Sequence, residues 1–189
     1  PSIAEAIMRR QSRRKYSPGS ISIAELSFLL FSTQGVRKRA AAYSFRTVPS
    51  GGARHPFETY VYASRAEGVS PGLYRYLPLE HRLLLEKPFR PGMAEELDSA
   101  LNGQLWNAAA YFVWTAEPYR TEWRYAEAAA KLVAIDAGHL CGNLYLACEA
   151  VGCGTCGIGA YLQEAMDRFL GVDGTDEFAI YAAPVGKVE

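Results

Sequence analysis

The distribution of hydrophobic and polar positions predicts short helices alternating with short strands. Two Ser-x-x-Glu capping boxes, Ser2 with Glu5 and Ser22 with Glu25, predict helices near 3–11 and 23–33, because each box satisfies free amides where a helix begins. Aromatic and β-branched runs predict strands at 57–63, 72–77, 81–86, 109–116 and 178–185. Two more short helices are predicted at 91–101 and 162–170.

The longest periodic element lies between Glu122 and Val151. It contains no proline, and Gly152 supplies a C-terminal stop, so the pattern predicts one continuous helix of about thirty residues. Its apolar residues spread around more than one face. This favours burial against the sheet on one side and against a second subunit on the other.

The segment from Val36 to Thr47 has little periodicity. It carries four cations, Arg37, Lys38, Arg39 and Arg46. We interpret it as a loop that is mobile or covered by a partner.

The composition favours a single domain over residues 1–189. Hydrophobic residues make up 49% of the chain, which supplies a core and argues against disorder. Lys plus Arg and Asp plus Glu both number 20, so the overall charge favours no nucleic-acid partner. No apolar stretch reaches bilayer-spanning length and the N-terminal segment lacks the order of a signal peptide, so we expect a cytoplasmic protein without membrane contact.

Four segments contain residues suited to chemistry, and the first runs from Arg9 to Tyr16. Its five cations are interleaved with Gln11 and Ser12, a combination that can surround a phosphate with guanidinium contacts and neutral hydrogen bonds. A solvated basic helix end and a nucleic-acid or nuclear-localisation patch are the alternatives.

The second segment, Pro49 to Pro56, places two glycines directly before a predicted strand. Glycine lets the backbone approach a flat ligand closely, and Ser50 and Arg54 offer donors. An ordinary Pro/Gly turn is the alternative.

The third segment, Gly152 to Ala160, contains a Cys-x-x-Cys pair, Cys153 and Cys156, among glycines. A second pair and a histidine at finger spacing are missing, so we predict no metal site. The glycines follow a helix and not a strand, which argues against a dinucleotide-binding turn. A dithiol, a tightly packed turn and a loop whose bare amides face a ring system remain open.

The fourth segment, Glu122 to Tyr125, begins the predicted long helix and offers Arg124 and Tyr125 as polar groups. Aromatic packing beside a surface arginine is the alternative. His139 and Asn143 lie one turn apart on the same helix, where they either face a ligand or make a polar contact at a subunit seam.

In this order, the segments resemble the FMN-dependent nitroreductase superfamily, and within it the SagB-type dehydrogenases that oxidise thiazoline and oxazoline rings in peptide natural products. Arg10-Gln11-Ser12-x-Arg14-x-Tyr16 is similar to the superfamily's N-terminal signature, and Pro49 to Pro56 is similar to its flavin-ring loop. Gly72 to Leu77 and Gly138 to Leu144 are more typical of the SagB-type branch. The resemblance covers nearly the whole chain.

The resemblance implies an α+β, nitroreductase-like fold: a central, mainly antiparallel sheet flanked by helices, with the long central helix at a homodimer interface. It also implies FMN at that interface, with the flavin-ring loop supplied by the other subunit and with Gly159 and Ala160 near the flavin N5. The FMN contacts implied in this way are Arg10, Gln11, Ser12, Arg14, Pro49, Ser50, Gly51, Gly52, Gln104, Gly157, Ile158, Gly159, Ala160 and Lys187.

Two features depart from the SagB-type pattern. Where those enzymes usually carry Lys-Tyr, this chain has Arg124-Tyr125. Azoline oxidation removes a proton from one ring carbon while hydride leaves the next, and an arginine is not deprotonated in a protein. Tyr125 is therefore the candidate base, with the charge of Arg124 favouring its ionised form. Many relatives also continue beyond the C-terminal segment with a basic phosphate contact; Lys187 is the candidate here, and we expect weaker FMN retention.

We therefore expect an FMN-dependent oxidoreductase that transfers hydride between a small-molecule or peptide substrate and flavin N5, with azoline oxidation as the leading activity. An NAD(P)H-dependent reductase of nitro compounds or quinones is the alternative within the fold, with NAD(P)H as its electron donor. The alternative from another class is a non-catalytic flavin- or nucleic-acid-binding module, because Arg9 to Lys15 and Arg37 to Arg39 can form a basic stripe.

Overall fold

The computed structural model describes residues 1–40 and 43–188. Single 3₁₀ turns lie at Gly51–Ala53 and Ala126–Ala128. The helices and strands are, in chain order, α1 (Ile3–Arg9), α2 (Ile23–Gln34), β1 (Val36–Arg39), β2 (Ser44–Arg46), β3 (Phe57–Ala63), β4 (Gly72–Leu77), β5 (Arg82–Pro88), α3 (Met93–Ala100), β6 (Ala110–Ala116), α4 (Tyr119–Tyr125), α5 (Ala129–Ala150), β7 (Cys153–Thr155), α6 (Gln163–Leu170) and β8 (Phe178–Lys187).

Six strands form the central sheet in the order β5-β4-β3-β6-β8-β7, and every neighbouring pair is antiparallel. On β3 and β6, Val61 and Phe112 pack into the core on one face, while Tyr62 and Tyr111 pack into the core on the other. Because successive side chains of a strand point to opposite faces, these two strands are buried on both sides. The predicted α+β class and the predominantly antiparallel sheet are confirmed.

Helices cover both faces of this sheet. Helices α2 and α5 lie over the face that contains Val61, and α3 and α6 lie over the other face. One side of α5 is buried through residues such as Leu140 and Leu144, whereas Ile135 is 48% exposed on another side. The predicted burial of α5 against the sheet is confirmed. The predicted contact of α5 with a second subunit stays a prediction. Across residues 1–40 and 43–188, the chain forms no helix with the length and apolar character that a bilayer crossing requires.

Both predicted capping boxes are present. The Ser2 hydroxyl accepts from the Glu5 amide at 3.2 Å, and the Ser22 hydroxyl accepts from the Glu25 amide at the same distance. Helix α1 ends earlier than predicted because Arg10 leaves helical geometry. The chain after it runs beside β7, with Ser12 bridged to Thr155.

The loop predicted at 36–47 is wrong for most of its length, because β1 and β2 form an antiparallel hairpin there. The Arg37 Nε donates to the Arg46 carbonyl at 2.9 Å and helps to join the strands. The charged side chains of β1 are exposed, so the strand has no buried face to produce an alternating hydrophobic pattern. Residues 41 and 42 of the predicted loop lie outside the described residues.

The continuous helix predicted from Glu122 to Val151 is also wrong. Ala126, at φ 43° and ψ −122°, separates α4 from the 3₁₀ turn that leads into α5. Such a backbone conformation is strained for a residue with a Cβ. No glycine or proline marks the break, which is why the sequence pattern conceals it.

We expect Ala126→Gly to raise the free energy of unfolding by about 1 kcal/mol, because glycine tolerates this backbone conformation without a Cβ clash. Ala128→Gly is the matched control: Ala128 has helical geometry, so the same change there should destabilise by about 0.5–1 kcal/mol. Urea denaturation of both variants measures this. Equal destabilisation by the two changes would contradict the assigned break.

Candidate active site

The hydroxyl of Tyr145, on α5, joins two of the predicted site segments. It lies 3.0 Å from the Ser12 hydroxyl and accepts from the Gly157 amide at 2.8 Å. The Arg13 amide donates to the Thr155 carbonyl at 2.9 Å, which further holds the N-terminal segment against β7. The structure therefore brings the predicted phosphate segment and the glycine-rich segment together.

Aromatic rings orient two of the predicted guanidinium groups. Arg10 lies over the Tyr145 ring, 5.3 Å from its centroid, and Arg14 lies over the Trp106 ring at 5.7 Å. With its amide oxygen turned toward Arg13, Gln11 accepts from that guanidinium at 2.9 Å. These contacts limit the freedom of long charged side chains at an exposed surface.

A cleft of about 500 Å³ opens beside this segment. Its described lining contains three cations and two serine hydroxyls but no carboxylate, so the cleft suits an anion such as a phosphate. The lining residues are Ser12, Arg13, Arg14, Lys15, Tyr16, Ser17, Pro18 and Val188.

The glycine-rich segment presents a short stretch of accessible backbone. Ile158 anchors it to β8 by exchanging two backbone hydrogen bonds with Ala182, at 2.7 and 3.1 Å. A side chain at Gly157 would have to displace the Tyr181 hydroxyl, so the close packing here favours glycine. Gly159 and Ala160 are exposed, and a Cβ on Gly159 would meet no described atom within 4 Å. A planar ligand can therefore approach the backbone at these two residues.

Gln104 holds the same segment from the other side. Its side-chain nitrogen donates to the Ala160 carbonyl at 2.8 Å and to the Leu101 carbonyl at 2.7 Å. Because both N–H groups are engaged, its amide oxygen is the group left to accept a hydrogen bond from a ligand hydroxyl.

The predicted flavin-ring loop and the predicted catalytic pair form a second cluster. The Gly51 amide donates to the buried carboxylate of Asp136 at 3.0 Å. Gly52 has φ +59°, and a side chain there would overlap the Tyr125 hydroxyl. Arg124 lies 5.6 Å from the centroid of the Tyr125 ring. Tyr125 is thus placed against the loop by the break after α4.

The two clusters lie along one helix. Asp136 and Tyr145 are nine residues apart on α5, which corresponds to about 13 Å of helix. Between the clusters runs an open groove of about 440 Å³ that reaches Arg10 at one end and Pro49 at the other. The remaining lining residues are Ile7, Gly138, His139, Gly142, Asn143 and Leu146. Within one chain, the described site residues therefore form two groups separated by this groove.

The remaining residues of the loop are held internally. The Ser50 hydroxyl accepts from the His55 amide at 2.9 Å, so it supports the turn. Arg54 donates to the Gly52 carbonyl at 2.9 Å and lies over the Trp123 ring.

Asn143, on α5 and outside this loop, donates to the Ser32 carbonyl at 2.9 Å and thereby connects α5 to α2.

Lys187 forms an ion pair with Glu25 and donates to the Val151 carbonyl at 3.2 Å. Burial alone would raise the pKa of Glu25, but the hydrogen bond from Lys187, together with those from Ser22, brings it below its ordinary value. The ammonium of Lys187 is therefore engaged with protein groups, and its predicted contact with a phosphate stays a prediction.

The four cysteines are buried and unpaired by disulfides. Burial raises the pKa of Cys153 to about 11 and that of Cys141 to about 12, so both thiols are protonated near neutral pH. This favours the packing interpretation of these cysteines.

Sequence reasoning missed Tyr145, Trp106 and Asp136. A weak signal existed for Asp136, which is the one acidic residue of α5 before Glu149 and lies on a helix with many apolar positions. Tyr145 and Trp106 have no such signal, because aromatic residues in apolar surroundings are typical of a core.

The sequence model of the nitroreductase family matches residues 7–187. This chain belongs to the nitroreductase family. A candidate nitroreductase of Methanocaldococcus jannaschii is 31% identical over 190 residues, covering 98% of this chain and 90% of that protein. The family assignment confirms the expected superfamily, and with it an oxidoreductase.

Two further similarities are to a trifolitoxin-processing protein and to a chain of a microcin synthetase complex. The trifolitoxin-processing protein TfxB of Rhizobium leguminosarum bv. trifolii is 31% identical over 112 residues, which is 57% of this chain and 30% of that protein. Among solved structures, a chain of the Escherichia coli microcin synthetase McbBCD complex, with truncated pro-MccB17 bound, has a TM-score of 0.82 at 18% identity. That alignment covers 96% of this chain and 70% of the other, and it concerns the nitroreductase fold alone.

We expect Tyr145→Phe to lower the free energy of unfolding by about 1–2 kcal/mol and to weaken retention of added FMN, because Ser12 and Gly157 lose their shared partner. Tyr74→Phe is the matched control: it removes a hydroxyl that donates to the Ser70 carbonyl at 2.7 Å, on β4, which takes no part in the contacts of Ser12, Tyr145 and Gly157. Urea denaturation and the flavin-to-protein ratio after desalting measure the two effects. Equal flavin retention by both variants would contradict the role of Tyr145.

Burial, with the nearby charges of Arg46 and Arg54, lowers the pKa of His55 to about 4. The unfolded chain binds a proton near pH 6.5 and the folded chain does not, so stability should fall as the pH drops from 6.5 toward 4. The loss should reach at most about 3 kcal/mol. We expect His55→Gln to remove this part of the pH dependence of unfolding, whereas His139→Gln, at an exposed site, should leave it in place. A wild-type slope in His55→Gln would refute the assignment.

Proposed function

We propose that this protein is an FMN-dependent oxidoreductase of SagB type, which oxidises azoline rings in a peptide and works as a homodimer with FMN between the subunits. One observation carries the proposal: the Tyr145 hydroxyl joins Ser12 of the phosphate segment to Gly157 of the glycine-rich segment. The contact assembles a cradle from two segments that belong to the FMN site in the superfamily that the chain resembles.

The groups of this cradle suit FMN. The cleft beside Arg14 has a cationic, hydroxyl-rich described lining for the phosphate. The oxygen of Gln104 would accept from a ribityl hydroxyl, and the exposed backbone at Gly159 and Ala160 is accessible to the edge of a ring system.

The separation of the two clusters supports a dimer. Gly138 and Gly142 have open space where a Cβ would project, so another helix can approach α5 closely along the groove. A second copy packed there would bring its own 49–52 loop and Tyr125 toward the cradle of the first. Ile135, on the same helix, is 48% exposed in the single chain. An apolar side chain exposed in this way supports its burial against a second subunit.

Bound FMN would accept the hydride that leaves the azoline ring. The chain must then accept a proton from the neighbouring ring carbon, a task for which Tyr125 of the second cluster would serve as the phenolate. Arg124 lies against the Tyr125 ring and brings a positive charge to this cluster. The products would be the aromatic azole, Tyr125 as the neutral phenol and the reduced cofactor.

A peptide substrate is supported by the likeness to the trifolitoxin-processing protein, which covers more than half of this chain. The nitroreductase fold within the microcin synthetase complex is compatible with this class of substrate.

We expect Tyr125→Phe to lower the turnover of a thiazoline peptide by about 10²–10⁴-fold without loss of bound FMN, because the general base is removed and the cradle is not. Arg124→Ala should also lower turnover. The loss of two hydrogen atoms from the peptide, followed by mass spectrometry, measures the reaction. Tyr119→Phe is the matched control, at a position 75% exposed on the same helix.

Wild-type turnover by Tyr125→Phe would remove Tyr125 from the proposed chemistry.

A second candidate function, an NAD(P)H-dependent reductase of nitro compounds or quinones, is favoured by the likeness to the candidate nitroreductase of Methanocaldococcus jannaschii. Rapid consumption of NADPH with a nitroarene, together with no oxidation of thiazoline peptides, would select this alternative.

A further inference from the structure

The segment from Val36 to Pro56 is strongly basic in a chain of zero formal net charge. It contains no Asp or Glu, and its five cations are Arg37, Lys38, Arg39, Arg46 and Arg54. The proposed chemistry uses none of these side chains. Such a local excess creates a positive potential that attracts anionic partners.

The hairpin presents these charges together with aromatic surface. The three cations of β1 are exposed. On β2 and just before it, Phe45 is 40% and Tyr43 is 53% exposed, and their rings pack edge to face at 5.3 Å. Lys38 pairs with Phe45 across the hairpin, whereas Arg39 pairs with Ser44, so the cations of β1 occupy both faces.

A cleft of about 400 Å³ connects the hairpin to the candidate active site. Arg37, Phe45 and Arg46 form the hairpin side of its lining. Pro49 and Ser50 of the predicted flavin-ring loop form part of the opposite side. The cleft thus extends from the hairpin to the 49–52 loop. The lowered pKa of His55, caused first by burial and then by Arg46 and Arg54, agrees with a positive potential in this cleft.

The hairpin also has open edges. Within residues 1–40 and 43–188, β1 and β2 pair with each other and with no further strand. The outer edge of such a ribbon offers backbone N–H and C=O groups that an extended peptide can pair with by strand addition.

We infer that the β1–β2 hairpin and its cleft bind an extended, acidic segment of the peptide substrate and direct the neighbouring ring toward the 49–52 loop. The inference rests on the proposed function for the identity of the substrate. A strand of four residues spans about 13 Å, and cations spread over that length and over two faces match a chain of carboxylates better than one compact phosphate.

The test uses the full chain loaded with FMN and a peptide of alternating Glu and Gly that carries an uncharged dye, with binding followed by fluorescence anisotropy. The hairpin variant is Arg37→Glu/Lys38→Glu/Arg39→Glu. The matched control, Arg82→Glu/Arg90→Glu/Arg168→Glu, changes the net charge equally at exposed positions elsewhere. We expect binding to the hairpin variant to be weaker by about tenfold or more, and to the control by much less. Added salt should weaken wild-type binding.

Equal binding by the hairpin variant and the control would overturn the inference, provided that circular dichroism and urea midpoints show both to be folded. Equal wild-type affinity for a Gln-Gly peptide would also overturn it, because recognition would not depend on carboxylates. A hairpin variant that loses NADPH binding but keeps the acidic peptide would assign the surface to a dinucleotide instead. If wild-type protein binds the acidic peptide and oxidises no thiazoline peptide, the proposed function fails while the docking surface stands.

Discussion

The position of the Tyr145 hydroxyl is the constraint on which the candidate site depends. Leu140 and Leu144 bury one side of α5 against the central sheet, and this packing fixes where the phenol lies. From there it joins Ser12 to Gly157, two residues that are far apart in sequence. The core thus determines the geometry of the cradle at the surface. Because α5 is packed on a rigid sheet through its buried side, the side that carries Tyr145 is held in place as well.

The same helix explains why the site is divided. Asp136 near its start holds the 49–52 loop, and Tyr145 near its end holds the cradle. No hydrogen bond among the described residues joins the two clusters directly. The strained conformation of Ala126 directs Tyr125 toward Gly52, and strain of this kind is common where a fold must aim a side chain at a site. In our proposal, a second copy of the chain closes the gap across the groove.

Much of the fold could be predicted because local patterns and tertiary packing agree. The nearly continuous apolar runs around Val61 and Phe112 reflect a sheet buried on both faces, and the Ser22 box reflects an actual helix start. Prediction failed where the decisive interaction was not local: the break at Ala126 has no glycine or proline, and β1 is a strand of exposed cations. For the site, the residue types that bind phosphate could be recognised from the sequence. The contacts of Tyr145 could not, because they depend on the tertiary packing of α5.

The visible absorption spectrum of FMN-supplemented and desalted protein tests the central claim most directly, when recorded without oxygen before and after NADPH and then after a thiazoline peptide. We expect the protein to retain flavin through desalting, and we expect this flavin to stay oxidised with NADPH and to be bleached by the peptide. A protein that retains no flavin would contradict the cradle. Retained flavin that NADPH bleaches at once and the peptide leaves oxidised would contradict the dehydrogenase.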